Sequence, residues 1–197
     1  MSKRMNSKIK LLPKNAKIVL LRHGESEGNA QKIMQGSGEY PLSEKGKVQV
    51  LEARETVSSW LPSNYLASTL SRSIDTALIL SGLNIVKSDE RFNERGAGKW
   101  EGLARSHMEA LYPGSLEDDT VKPDDFEPES EVIDRMLKGL WEVRSYSGLS
   151  IIVGHGATLR LLDRKLNGGG NRFKYLEGLI FDEELNILSR IKTLEEE

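Results

Sequence analysis

The sequence predicts an α/β fold, a three-layer sandwich with a mostly parallel central sheet and helices on both faces. Short, continuously apolar runs recur along the chain, and such runs are typical of strands buried on both faces. Longer segments with helical spacing of their apolar residues separate these runs. Strands that alternate with helices pair in parallel within one sheet, and the connecting helices then cover both of its faces.

The first half of the chain predicts three strands and two helices. In chain order they are a strand over 17–21, a helix over 41–61, a strand over 64–69, a helix over 70–83 and a strand over 84–88. Ser43 can cap the first helix, and Glu44 suits the positive end of its dipole. The apolar residues of that helix fall on one face, namely Val50, Ala53, Val57 and Trp60.

The second half begins with an irregular stretch over 89–128, which contains one short helical segment, "ARSHMEALYP". A helix over 129–147, a core strand over 150–156 and a helix over 157–166 follow. The last helix breaks at three consecutive glycines. Two final apolar runs predict a closing edge hairpin around the turn at 182–186.

The totals exclude several classes of protein. The chain has 197 residues and a net charge of −2, so no global charge draws it to nucleic acid or acidic membranes. It has no cysteine, which excludes disulfides, thiol catalysis and cysteine-based zinc sites. The apolar runs are too short to span a bilayer, and the basic N-terminus lacks the apolar core of a secretion signal. We therefore expect a cytoplasmic protein.

We expect one domain over 16–197, preceded by a flexible basic tail over 1–15 and containing an irregular acidic insertion at about 112–128. The acidic run over 115–131 has eight carboxylates and one lysine, and such runs are usually solvated and mobile. If this run covered a binding pocket, its field would favour a substrate with one phosphate and an otherwise neutral or cationic body. An exposed edge strand would also allow two copies of the chain to pair as a homodimer.

Two histidines follow two of the predicted strands. His23 follows the first strand and His155 lies at the end of the strand over 150–156, and each precedes a glycine, which lets a ligand approach the backbone closely. Arg22 precedes the first histidine, and Arg72 lies just beyond another strand, at a helix start. Because ligands bind at the carboxyl ends of parallel strands, we expect these side chains to converge. Arginine guanidiniums, whose planar donors match phosphoryl oxygens, and imidazoles together suit the binding of a phosphoryl group.

A metal centre is the first alternative to this interpretation. Zinc normally takes three or four protein ligands, and the remaining histidine, His107, lies on a predicted surface helix. The adjacent arginines would also repel a dication. We therefore expect neither a metal nor another cofactor.

The remaining choice, which we favour, is covalent chemistry. A neutral imidazole of His23 can attack phosphorus while the arginines offset charge on the phosphoryl oxygens. The arginines also disfavour the imidazolium form, which keeps the nucleophilic lone pair available. A carboxylic acid must then protonate the leaving oxygen and later activate water. The glycine-containing loop after the third strand offers Glu94 and Glu101, and spacing alone leaves both open.

Five segments, in this order, resemble motifs of the histidine phosphatase superfamily, which has the phosphoglycerate mutase-like fold. They are "LLRHGESEGN", "GEYPLSEKGKVQ", "ASTLSRSIDTA", "ERFNERGAGKWEGL" and "IIVGHGATLRLL". The resemblance implies that His23 is the phosphorylated nucleophile and that Glu94, which precedes Arg95-Gly96, is the proton donor. It also implies a metal-independent reaction. The side chains and the backbone N–H that it implies for holding the phosphoryl group are those of Arg22, Asn29, Arg72, His155 and Gly156.

Within this family the sequence favours the phosphatase branch. Mutases resemble one another in a His-Tyr-Gly after the acid-loop arginine, a longer insertion and an Arg-Arg pair. This chain has Gly96-Ala97-Gly98 there and no arginine between Arg105 and Arg135. We therefore predict a metal-independent phosphoric monoester hydrolase that acts on a small phosphorylated substrate. The alternative is a 2,3-bisphosphoglycerate-dependent phosphoglycerate mutase. A non-catalytic phosphate-binding domain is disfavoured, since it needs neither a nucleophile nor an acid.

Overall fold

The computed structural model describes residues 10–115 and 121–194, which form one six-stranded mixed sheet with helices on both faces. The strands are β1 (Ile18–Arg22), β2 (Asn64–Ala67), β3 (Lys87–Ser88), β4 (Ser150–Gly154), β5 (Glu177–Phe181) and β6 (Ile187–Lys192). Their order in the sheet is β3-β2-β4-β1-β5-β6. The first four pair in parallel, whereas β5 and β6 are antiparallel and form the closing hairpin. The predicted α/β fold is confirmed.

Six α-helices accompany the sheet in the described ranges. They are α1 (Glu27–Ala30), α2 (Glu44–Ser59), α3 (Ser71–Ser81), α4 (Arg105–Leu111), α5 (Glu129–Val143) and α6 (Gly156–Asn167). Helices α2 and α3 pack on one face of the sheet, and α5 and α6 pack on the other. None of these helices has the length and apolarity that crossing a membrane requires.

Strand β1 shows why the core strands are apolar without interruption. Ile18 and Leu20 belong to the cluster under α5 and α6, whereas Val19 and Leu21 belong to the cluster under α2 and α3. Successive side chains of a strand point to opposite faces, and here both faces are covered. All four side chains are fully buried, and each such burial contributes about 1.5–3 kcal/mol to folding.

The parallel pairing of β1 with β4 positions the two histidines. Arg22 is in register with Gly154, and the N–H of His23 donates to the Gly154 carbonyl at 3.1 Å. His155 therefore follows β4 at the same edge where His23 follows β1. Since β2 pairs with the other side of β4, the start of α3 with Arg72 reaches this edge too.

The structure differs from the sequence predictions at the edges of the fold. The strand expected over 84–88 shortens to Lys87–Ser88, because it is an edge strand that pairs with β2 alone. Of the predicted tail over 1–15, residues 1–9 lie outside the described ranges. Lys10 is held by the protein body, because its carbonyl accepts from Trp60 Nε1 at 2.6 Å.

The acidic run also differs from its expectation where it is described. Residues 116–120 lie outside the described ranges. Beyond them, Asp125 Oδ1 accepts from the N–H of Lys99 at 3.1 Å, and Glu129 pairs with Arg95 at 3.1 Å. Glu127 pairs with Arg135 at 2.7 Å. These carboxylates therefore have contacts with the protein that a freely solvated run would lack, while Asp125 stays exposed. The mobility of the run stays a prediction.

Candidate active site

His23 is a neutral imidazole with one ring nitrogen committed to the backbone. Its side chain is 3% exposed, and Nδ1 lies 2.5 Å from the carbonyl oxygen of Gly24. A carbonyl can only accept, so Nδ1 holds the ring proton and Nε2 holds the lone pair. Burial, followed by the charges of Arg22 and Arg72, holds the pKa of His23 well below its usual value. The ring is therefore uncharged at neutral pH.

His155 stands beside His23 with its ring edge-on, at 5.1 Å between ring centroids. Its Nδ1 accepts from Arg72 Nε at 3.3 Å, so the ring proton lies on Nε2. That nitrogen faces the hydroxyls of Ser68 at 2.7 Å and Ser73 at 3.2 Å. Burial, followed by the charge of Arg72, holds the pKa of His155 well below its usual value. Both ring nitrogens thus have protein partners.

Backbone carbonyls hold the two arginines in place. Arg72 is 1% exposed and donates from Nη1 and Nη2 to the carbonyls of Gly38 at 2.8 Å and Gly36 at 2.9 Å. Arg22 donates from Nη1 to the carbonyl of Phe173 at 2.7 Å. Burial lowers the pKa of both guanidiniums, but arginine keeps its proton in proteins. The site therefore contains one buried and one partly buried cation, both held mainly by neutral acceptors.

One buried donor of this site, the Nε of Arg22, has no hydrogen-bond partner among the described residues. It lies against Gly156, where a Cβ atom would come within 3.1 Å of Nε. Gly156 is the first residue of α6, whose N-terminal N–H groups favour an anion. Glycine here leaves room for an anion to reach both the guanidinium and the helix start.

The structure separates the two candidate carboxylates. Glu94 lies at the start of α6, where its two oxygens accept from the N–H groups of Ala157 and Thr158, each at 3.3 Å. The Glu101 carboxylate instead joins two loops, accepting from the N–H of Ala97 at 3.0 Å and the N–H of Ser37 at 2.9 Å. Geometry thus places Glu94 at the start of α6, directly after His155, and gives Glu101 a structural position.

Asn29 lies next to the site, in the first turn after the His23 segment. Its Oδ1 accepts from the N–H of Ser26 at 3.2 Å and from the Ser26 hydroxyl at 2.9 Å, which completes the capping box of α1. Contact between Asn29 and a phosphoryl group remains a prediction.

Sequence reasoning missed three residues of the site. Ser68 and Ser73, which face His155, lie inside the segment "ASTLSRSIDTA". Its resemblance to a family motif could therefore have indicated that they belong to the site. Tyr175 stacks on the Arg22 guanidinium at 4.4 Å from the ring centroid. It comes from the loop after α6, and no pattern in the sequence marks it.

The fold and site together define a class of protein. A buried neutral imidazole between two arginines, with a carboxylate nearby, at the carboxyl edge of a parallel sheet, is typical of phosphoryl transfer through histidine. The described residues contain no cluster of three or more His, Asp or Glu side chains that could hold a metal ion. The chain belongs to the histidine phosphatase superfamily, branch 1, whose family model matches residues 18–179.

Individual relatives agree with this assignment. A glucosyl-3-phosphoglycerate phosphatase of Mycolicibacterium vanbaalenii is 29% identical over 167 residues, covering 77% of this chain and 74% of that protein. The uncharacterized phosphatase PhoE of Bacillus subtilis is 33% identical over 157 residues, covering 77% and 78%. The structure of a mycobacterial glucosyl-3-phosphoglycerate phosphatase with VO3 matches with a TM-score of 0.77 at 26% identity, covering 87% of this chain and 96% of that one.

The predicted phosphoric monoester hydrolase of the histidine phosphatase type is supported by these findings. Mutases are also among the relatives. A 2,3-bisphosphoglycerate-dependent phosphoglycerate mutase of Lactobacillus johnsonii is 35% identical over 108 residues, which cover 50% of this chain and 47% of that protein. The phosphatase matches named above extend over a larger share of both chains.

Proposed function

We propose that the protein hydrolyses small phosphomonoesters through a phosphohistidine at His23 Nε2. The observation that carries this proposal is the tautomer of His23. The Nδ1–H group of His23 donates to the Gly24 carbonyl, and the depressed pKa keeps the ring neutral, so the lone pair is on Nε2. A neutral imidazole in contact with cations is a nucleophile matched to an anionic phosphoryl group.

The reaction balances in two steps. In the first, Nε2 forms a bond to phosphorus, the ester P–O bond breaks, and the Glu94 carboxylic acid gives its proton to the leaving oxygen. In the second, water attacks phosphorus and gives a proton to the Glu94 carboxylate, and the P–N bond breaks to release phosphate and restore His23.

The remaining site residues bind the phosphoryl oxygens in this proposal. Arg22 and Arg72 supply fixed positive charge. The Nε of Arg22, which has no partner in the described ranges of the protein, and the N–H of Gly156 donate hydrogen bonds to the phosphoryl oxygens. His155 contributes by exchanging one of its present partners for a phosphoryl oxygen, and Asn29 lies at the rim.

The substrate we propose is a small phosphorylated metabolite, such as the glucosyl-3-phosphoglycerate named for the mycobacterial relatives. A cytoplasmic location and pairing into a homodimer remain proposals based on the sequence.

Turnover of p-nitrophenyl phosphate in the presence of EDTA tests the proposal. We expect activity to persist, because arginines supply the positive charge, and His23→Ala to lower kcat/KM by about a thousandfold or more. His107→Ala on the exposed side of α4 is the matched control. Full activity in His23→Ala, or complete loss with EDTA, would contradict the mechanism. Faster isomerisation of 3-phosphoglycerate than hydrolysis would instead favour the mutase.

A further inference from the structure

Arg135 stands behind the loop that carries Glu94. It projects from the first half of α5, and its side chain is 21% exposed. Its Nη1 donates to the carbonyls of Arg91 at 2.9 Å and Asn93 at 2.7 Å. Its Nη2 donates to the carbonyl of Glu94 itself at 3.2 Å. One guanidinium therefore holds the backbone at Glu94 and at the residues just before it.

Glu127 completes the clamp on the other side of Glu94. Its carboxylate accepts from Arg135 Nε at 2.7 Å and Nη2 at 3.0 Å, and from the N–H of Gly96 at 2.8 Å. Its own N–H donates to the carbonyl of Gly96 at 3.0 Å. Burial opposes the charge of Glu127, but the hydrogen bonds from Arg135 and Gly96 outweigh it and lower the pKa of this carboxyl.

Other contacts hold the two ends of this loop, since Asn93 Oδ1 accepts from the N–H of Thr69 at 2.8 Å and the N–H of Ala97 donates to Glu101 at 3.0 Å. Residues 93–97 lie between two single-turn helices and have no regular structure of their own. The contacts of the Glu94 side chain to α6 are long, at 3.3 Å each. The position of its carboxyl group therefore depends on where the backbone is held.

We propose that Arg135 and Glu127 are positioning residues that aim Glu94 at the leaving oxygen. This inference rests on the proposed function and goes beyond it, because it assigns a role to the acidic insertion, which contributes Glu127. Removal of the clamp should impair proton donation while leaving attack by His23 nearly intact.

The test compares two aryl phosphates that differ in the leaving group. Phenol is about as basic as the tyrosine side chain, with a pKa near 10. p-Nitrophenol is far more acidic and leaves without a donated proton. General acid catalysis contributes roughly 10²–10⁴-fold where it is needed, so we expect Arg135→Gln to lower kcat/KM for phenyl phosphate by about 10–100-fold. For p-nitrophenyl phosphate we expect Arg135→Gln to lower kcat/KM by no more than about 3-fold. Glu127→Gln should also affect phenyl phosphate more than p-nitrophenyl phosphate, but both losses should be smaller.

Controls separate positioning from general destabilisation. Arg144→Gln is the matched variant, since Arg144 lies at the other end of α5 and also donates to a backbone carbonyl, that of Glu183. It should leave both substrates unaffected. In a Glu94→Gln background, Arg135→Gln should cause no further change in the ratio of the two substrates. Glu127→Gln keeps the test informative if Arg135→Gln fails to fold.

The outcomes distinguish the two proposals. If Glu94→Gln shows the leaving-group dependence and the clamp variants lose both substrates equally, the clamp proposal is wrong and the proposed mechanism stands. If Glu94→Gln shows no such dependence, the acid assignment fails, and the clamp proposal fails with it. If His23→Ala retains activity, the proposed function itself is wrong.

Discussion

His23 and His155 are both buried in neutral form, and this has a thermodynamic consequence at the scale of single residues. In the unfolded chain each imidazole binds a proton near pH 6.5. In the folded protein, burial and neighbouring cations lower both pKa values well below this. At pH values between the folded-state pKa and the unfolded-state pKa, the unfolded state binds more protons than the folded state. The free energy of unfolding must therefore fall as the pH drops below about 6.5.

We predict a slope of up to about 2.7 kcal/mol per pH unit just below pH 6, since each histidine contributes about 1.4 kcal/mol per unit. Urea unfolding at pH 7, 6 and 5 measures it. His23→Gln should reduce the slope by about half. An unaltered slope in His23→Gln would show that His23 is not buried as a neutral ring.

Helix α2 is packed directly against the turn that carries His23. A Cβ atom on Gly24 would lie 2.8 Å from Val50 Cγ2 and 3.0 Å from the Gly46 carbonyl. A Cβ atom on Gly46 would overlap the carbonyl oxygen of Glu25. Glycine at both positions lets the helix approach the turn backbone, so the helix fixes the loop on which the nucleophile depends.

We predict that Gly46→Ala destabilises the protein by about 1–3 kcal/mol, because the added methyl group overpacks against backbone that cannot rotate away. The displaced turn should also lower kcat/KM. Lys47→Ala, at the exposed neighbouring position of α2, is the control. Unchanged stability in Gly46→Ala, measured by thermal unfolding, would show that α2 shifts without cost.

At the scale of the whole molecule, the active site joins elements that are distant in the chain. Arg22 ends β1, Arg72 lies in the first turn of α3, Glu94 lies in a loop and Gly156 begins α6. An anion that binds all of them stabilises the native assembly over the unfolded chain. Ligand binding should therefore be visible in global stability.

We predict that inorganic phosphate at about 100 times its dissociation constant stabilises the fold by about 2.7 kcal/mol. For a chain of this size that corresponds to an increase in Tm of about 5–10 °C. Arg22→Gln should remove most of the increase in Tm, because it deletes the Nε donor that has no partner in the described part of the chain. An equal shift in the variant would place the bound phosphate elsewhere on the protein.

The order of strands and helices and the closing hairpin were predictable because they depend on local patterns. Continuous apolar runs, period-3.6 spacing, a capping serine and runs of glycine act within a few residues. The two histidine turns were predictable for the same reason, since each directly follows an apolar run. The edge strand β3 was overestimated, because the extent of an edge strand depends on one partner rather than on its own sequence.

The sequence by itself determined the fold class, the family and the residue types at the edge of the sheet. Only the tertiary structure decided which nitrogen of His23 is free and which carboxylate lies at the start of α6. It also decided that acidic residues of the insertion contact the loop that carries Glu94. These features depend on hydrogen bonds between residues tens of positions apart, such as Arg135 with Glu94 and Ser68 with His155. Spacing along a chain does not specify such distances, because they follow from how the helices dock on the sheet.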